Sequence, residues 1–187
     1  LQTDPNRNVC QIATFLLATG CRLNEALQAT WEQVDLGSRV WKIPALNSKS
    51  KRIRSVPLND TALSVLRYFD AGASSGWIFI NPRSGERYTT ITKVWFRIRD
   101  KAGLPKLRLH DLRHQYASFL VNSGRTLYEV QQILGHSDPS VTTRYAHLSL
   151  DALRDASDSA SLLIEAARKP RQASGVRLVQ SPEAPVC

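Results

Sequence analysis

Apolar positions recur along most of this chain with the period of an α-helix. In residues 11–30, QIATFLLATGCRLNEALQAT, Ile12, Phe15, Leu16 and Thr19 form one stripe, and Leu23, Ala26 and Leu27 begin a second. Gly20 between them permits a break, so two helical pieces are expected. The period then changes. RVWKIPALNSKSKRIRSVPL reads as two short strands with Val40, Ile43, Ile53 and Val56 as apolar positions, joined by a basic loop around Asn47–Lys51. NDTALSVLRYFDAG returns to a helix, with Asn59 or Asp60 as N-cap and Gly72 past its end. GWIFINPRSGERYT reads as a strand and a turn, and TTITKVWFRIRDKAGL as a helix with Lys93, Arg97 and Lys101 on one basic face.

From residue 109 the pattern is helical with clear punctuation. HDLRHQYASFLVNSG is expected to bury Leu112, Tyr116, Phe119 and Leu120 and to end at Gly124. Thr126 and Glu129 form a capping box for the next helix, which Gly135 closes. Asp138 and Pro139 supply the N-cap and first-turn proline of a short helix carrying Tyr145. LDALRDASDSASLLIEAARK is a last amphipathic helix, and the Pro/Ser-rich stretch from Pro170 reads as a disordered tail or linker. The expectation is a single domain over residues 1–169, mainly α with a small antiparallel β-sheet (α+β), followed by a tail over 170–187.

Composition narrows what such a domain does. The apolar fraction of 42% fits a packed core, and no apolar run approaches the roughly 20 residues that span a bilayer. The formal charge of +9 favours a polyanionic partner, nucleic acid before an acidic membrane surface. Cys10, Cys21 and Cys187 show no CxxC spacing, which suggests a reducing, cytoplasmic setting without disulfides or zinc. The chain holds no methionine, so it reads as a fragment with sequence missing upstream.

The candidate chemistry is concentrated. All four histidines, His110, His114, His136 and His147, lie between positions 110 and 147. His110 and Arg113 are i, i+3 on one helix face, a pairing suited to an oxyanion or phosphate and poorly suited to a divalent cation. Taken alone, the pair is also a common surface arrangement. His136 falls between a helix-ending glycine and the next N-cap, where anions are attracted. Tyr145 alone is more often a packing aromatic; as a nucleophile it needs a base or stabilising cations, because its pKa lies near about 10. Arg22 opens a helix after Gly20, with Glu25 placed at i+3 to orient it. Lys49 lies in the hairpin loop among Lys51, Arg52 and Arg54, either a solvated basic turn on DNA backbone or a source of a mobile proton donor.

In order, TGCRLNEAL, a basic hairpin ending in SVPL, LHDLRHQYAS and ILGHSDPSVTTRY resemble the tyrosine recombinases, or phage integrase family, over roughly residues 10 to 150. The resemblance implies a tyrosine recombinase catalytic-domain fold and a site-specific DNA recombinase. Arg22 and Arg113 would clamp the scissile phosphate and His136 would hydrogen-bond it. Lys49, eight residues before the proline of VPL as in the family's hairpin, would protonate the 5′-oxygen. His110 would handle the tyrosine proton. Tyr145, its hydroxyl exposed on a short polar helix, would form a 3′-phosphotyrosyl bond. Glu25 would support Arg22, and Lys51, Arg52, Arg54, Lys93 and Arg97 would contact DNA. The resemblance implies no cofactor, metal or ATP, double-stranded DNA as partner, and no membrane. It implies a monomer in the absence of DNA and a homotetramer on it, with the last helix docking on a neighbour. A type IB topoisomerase and an inactive DNA-binding module of the same fold are the alternatives. Cys21 stands where the family usually has an apolar residue. Only 21 residues precede Arg22, where the family has a further helix and a DNA-clamping domain; without that clamp, weak binding and incomplete strand exchange are expected.

Overall fold

In the computed structural model, residues 1, 3–47, 53–70, 72, 75–135, 140–146 and 157–161 are described. Two units are distinguished, Leu1–Leu150 and Asp151–Cys187. The second is described only at residues 157–161, a short helical stretch.

The first unit is built around α1 (Arg7–Thr19), whose N-terminus is capped by the Asn6 side chain. The helix buries Val9, Ile12, Phe15 and Leu16 because it is covered from two directions, by α3 (Asp60–Phe69) and α5 (Leu109–Asn122). Gly20 ends it in the left-handed conformation, φ 62°. A Cβ there would also sit 2.4 Å from Tyr116 Cδ1 on α5, so the glycine serves both the turn and the close approach of α5. Beyond it comes α2 (Leu23–Leu27).

The sheet has three strands in antiparallel order: β1 (Val34–Asp35), β2 (Val40–Ile43) and β3 (Arg54–Pro57). The first was not anticipated from the hydrophobic pattern; two residues are too few to show a period. Trp41 pairs with Val56 and Ile43 with Arg54, and all four face inward. Trp41 packs on Phe15 at a centroid distance of 5.6 Å, and Phe15 meets Phe79 edge-on at 5.3 Å. Burying a side chain such as Phe15 contributes about 1.5–3 kcal/mol. α3 starts at the Asn59 cap, which also donates to the Ala18 carbonyl and so ties the helix to α1.

The stretch around Trp77–Ile80 is not a ladder strand. It makes isolated bridges, Thr30 with Trp77 and Ile80 with Arg87, because the neighbouring positions form turns. α4 (Thr92–Lys101) buries Trp95 and Ile98 and exposes Lys93, Arg97 and Lys101. α5 and α6 (Leu127–Leu134) enclose a second cluster of Ala117, Val121, Val130, Leu134 and Tyr145. Thr126 and Glu129 cap α6 as their spacing implies, and Gly135 closes it at φ 66°. Phe119, expected in the core, is exposed. It lies two residues from buried Ala117, about 200° around the helix. α7 (Ser140–Thr143) follows, and Tyr145 lies in the turn after it. The Asp138 and Pro139 cap lies outside the described residues, as does most of the expected last helix and the tail. Among the described residues no helix is long and apolar enough to cross a membrane.

Candidate active site

The site assembles around one buried carboxylate. Glu25 is 2% exposed, on the first turn of α2. Its Oε2 accepts from the Arg22 backbone N–H at 2.8 Å and from Arg54 Nη2 at 2.5 Å. Its Oε1 accepts from Arg22 Nη1 at 2.8 Å. A charge so far from water is tolerated only when paired and fully hydrogen-bonded, which two guanidinium groups achieve here.

Arg54 departs from its expected place on DNA. Its side chain is 7% exposed, and besides Glu25 it donates from Nη1 to the Ile133 carbonyl at 2.9 Å. The strand period explains this. Val56 faces the core, so the residue two before it must face the same way. Ile53, expected inside, lies before the strand and is exposed. The Arg54 stem also passes beneath Gly135, where a Cβ would lie 2.2 Å from Arg54 Cδ. Arg54 is therefore a strut between β3, α2 and the end of α6.

Arg113 is 3% exposed on the inner face of α5. It donates from Nη1 to the Gly20 carbonyl at 2.6 Å and from Nη2 to the Leu134 carbonyl at 2.7 Å. Both acceptors are carbonyls at helix C-termini, groups that lack an intrahelical partner and welcome a cation. Burial first, then the neighbouring Arg22 and Arg54, lowers the Arg113 pKa to about 10, so the side chain stays charged at neutral pH. Arg22 is more open to solvent than the other two, its side chain 28% exposed.

His110 stands exposed in the first turn of α5, and its ring meets His114 edge-on at 4.8 Å. Desolvation, with His114, Arg113, Arg108 and Arg22 nearby, lowers its pKa and favours the neutral ring. Tyr145 also departs from expectation. It is 6% exposed and packed into the second cluster, where an exposed hydroxyl was anticipated. Its turn after α7 places the ring in that cluster rather than in solvent, and the hydroxyl lies 2.5 Å from His114 Nδ1. Burial raises the phenol pKa, opposed by the charges of Arg144 and Arg113.

The structure thus gathers Arg22, Glu25, Arg54 and Arg113 and, one helix turn on from His110, couples His114 to Tyr145. Lys93 and Arg97 lie apart on α4, exposed, with Arg97 held by Asp4 at 2.8 Å. Lys49, Lys51, Arg52 and His136 lie outside the described residues. His114 had been given no role from sequence. Its signal was there: it stands at i+4 from His110, on the same helix face.

Comparison with known proteins identifies relatives of this chain. The model of the phage integrase family matches residues 2–151. The integrase of Salmonella phage P22 is 31% identical over 156 residues, which are 77% of this chain and 40% of that protein. The tyrosine recombinase XerD of Pseudomonas aeruginosa is 37% identical over 152 residues, 75% of this chain and 49% of that one. The chain thus spans about half or less of the length of these relatives. Among solved structures, the catalytic domain of bacteriophage HP1 integrase superposes with a TM-score of 0.61 at 29% identity, covering 84% of each chain. The Tn1549 transposon integrase, solved with a circular intermediate DNA, superposes at 0.71 with 22% identity, over 84% of this chain and 60% of that one. The second likeness is one of fold: a mainly helical domain with a small antiparallel sheet. With a family match covering most of its length, and relatives above 30% identity, this chain belongs to the phage integrase family.

Proposed function

We propose that the chain is the catalytic domain of a site-specific DNA recombinase, cleaving and rejoining DNA through a 3′-phosphotyrosyl bond. The observation that carries the reading is the gathering of Arg22 and Arg54 on buried Glu25 beside buried Arg113, with Tyr145 close enough to feel the Arg113 charge. Two guanidinium groups, Arg22 and Arg113, suit the charge that develops on a five-coordinate phosphorus. Their rigid anchoring means that little reorganisation is needed as that charge appears. His136 hydrogen-bonds the same phosphate, His110 handles the tyrosine proton, and Lys49 protonates the departing 5′-oxygen. The energy of the broken phosphodiester is kept in the tyrosyl ester, so rejoining requires neither ATP nor metal. The partner is double-stranded DNA, on which four copies assemble in the cytoplasm, the last helix docking on a neighbour. Lys51, Arg52, Lys93 and Arg97 contribute contacts to the DNA backbone.

The test is covalent trapping on a nicked duplex carrying the recombination site, taken from DNA flanking the gene. The protein should become linked to a 3′-phosphate, and Tyr145→Phe should abolish the adduct. The variant should stay folded, because losing one hydroxyl hydrogen bond costs about 0.5–1.5 kcal/mol. An adduct formed by the Phe variant removes Tyr145 from the role. Affinity should also fall steeply as salt rises, as expected when Lys and Arg displace counterions.

A further inference from the structure

Arg22 and Arg113 have a clear use on a phosphate, whereas Arg54 is turned into the protein. With its side chain 7% exposed, it presents almost nothing to a ligand. Its two terminal nitrogens instead hold atoms on which the other arginines depend. Nη2 donates to Glu25 Oε2, the oxygen that also accepts from the Arg22 backbone N–H. Nη1 donates to the Ile133 carbonyl at 2.9 Å, and the next carbonyl along, that of Leu134, accepts from Arg113 Nη2 at 2.7 Å. Two consecutive carbonyls at the end of α6 are thus gripped by two different guanidinium groups, which supply donors that the helix itself lacks there.

Taking the site as one that cleaves DNA, a reading on which this inference rests, we propose that Arg54 is a positioning residue for strand cleavage, which fixes the seats of both phosphate-clamping arginines and touches no DNA. Toward Arg22 it acts through the shared Glu25 carboxylate. Toward Arg113 it acts through the end of α6, one carbonyl away from the acceptor that Arg113 uses.

The geometry suits that task. Glu25 Oε1 holds Arg22 Nη1, and Oε2 is held by two donors, so the plane of the carboxylate is set and the Arg22 guanidinium with it. Without Arg54, Oε2 keeps only the Arg22 N–H, and the carboxylate is free to turn. The Ile133 carbonyl loses its donor at the same time, which loosens the end of α6 where Arg113 is seated. Only a fork serves both acceptors; a lysine is a single point charge and reaches one of them. The approach of the stem to Gly135, where a Cβ would lie 2.2 Å from Arg54 Cδ, keeps the fork between α2 and α6. The distances at stake are small, but a misplacement of about 1 Å in a clamp costs a reaction about 100-fold.

The test is single-turnover adduct formation on a nicked duplex taken from DNA flanking the gene, with the scissile phosphate mapped from the wild-type adduct. Wild type, Arg54→Met, Arg54→Lys, Arg22→Lys and Tyr145→Phe are compared on the ordinary phosphate and on each phosphorothioate diastereomer at that position. Sulfur is larger than oxygen and a weaker acceptor, so Arg22→Lys identifies the diastereomer that reports on Arg22. Thermal melting verifies the fold, and a partly unfolded sample lowers the amplitude without changing the rate constant. If Arg54→Met does not fold, Arg54→Lys, which keeps a cation opposite Glu25, carries the comparison. The rate constant of the folded Arg54 variants should fall by about 10–100-fold, with duplex affinity by anisotropy unchanged. Their sulfur-for-oxygen effect should differ from wild type by about fivefold or more in the diastereomer that Arg22→Lys also alters, as expected of coupled groups. A wild-type rate constant in a folded Arg54 variant overturns the proposal. So does a loss of affinity large enough to explain the slower rate, which makes Arg54 a DNA contact. Sulfur effects left as in wild type overturn it too, because they reduce Arg54 to a stabilising role, and so does total loss of adduct in both folded variants, which exceeds what a relaxed brace costs. No adduct in wild type, an adduct in Tyr145→Phe, or unaltered sulfur effects in Arg22→Lys sinks the reading of the site and this inference with it; an adduct that needs Tyr145 and Arg22 and ignores Arg54 sinks the inference alone.

Discussion

Glu25 holds two guanidinium groups from a buried position, and Glu25→Gln measures what that contributes. The carboxylate is 2% exposed and accepts from Arg54, itself 7% exposed, and from Arg22. Glutamine keeps the shape but removes the charge and turns one accepting oxygen into a donating amide, aimed at a guanidinium. Removing one partner of a buried pair leaves the other charge uncompensated, which costs about 3–5 kcal/mol. For a domain of this size each kcal/mol moves the melting temperature by about 2–4 °C, so the loss should be about 6–20 °C. Arg54→Met should cost less, because Glu25 keeps Arg22. The double variant Glu25→Leu/Arg54→Met replaces the pair with apolar volume and should recover much of the stability while adduct formation stays impaired, since Arg22 has lost its brace. The assay is thermal and denaturant unfolding followed by circular dichroism and tryptophan fluorescence. If Glu25→Gln changes stability by no more than an ordinary surface substitution, about 0.5 kcal/mol, the carboxylate is not balancing buried charge and the argument fails.

Two further predictions follow from the same geometry. Gly20→Ala must place a side chain at φ 62° and a Cβ 2.4 Å from Tyr116 Cδ1; the strain of about 1–2 kcal/mol adds to overpacking of about 1–3 kcal/mol, and Gly20→Ala/Tyr116→Ala should relieve only the second part in a denaturant titration. The His110 and His114 pKa values are both lowered in the folded state, so each contributes stability that is present above the unfolded value near 6.5 and lost as pH falls through the folded value. Denaturant midpoints should therefore decline on acidification below pH 6.5, and a midpoint that declines as steeply in His110→Asn/His114→Asn would falsify that attribution.

Much of this fold was readable from local rules. The stripe through Ile12, Phe15 and Leu16, the glycine stops at 20 and 135, and the Thr126/Glu129 box all depend on neighbours within four residues. So does the meeting of Arg22 with Glu25, which one helical turn brings together. Arg54 was misread because charge alone suggested solvent, whereas the strand period gave it the same face as Val56. Phe119 was misread because apolar character was allowed to outweigh its position on the helix.

By itself, then, the order of residues determined the helices, their caps, the basic character and the side chains available to the candidate site. Only the tertiary structure decided how those side chains are used. It set β3 across from α2 so that Arg54 shares the Glu25 carboxylate, brought the Gly20 and Leu134 carbonyls to Arg113, and laid Tyr145 against His114. These partners stand 29, 93, 21 and 31 residues apart. Helix and strand periods act over a few residues, whereas pairings at such separations arise when buried faces close on one another and each charge trapped between them must find a partner.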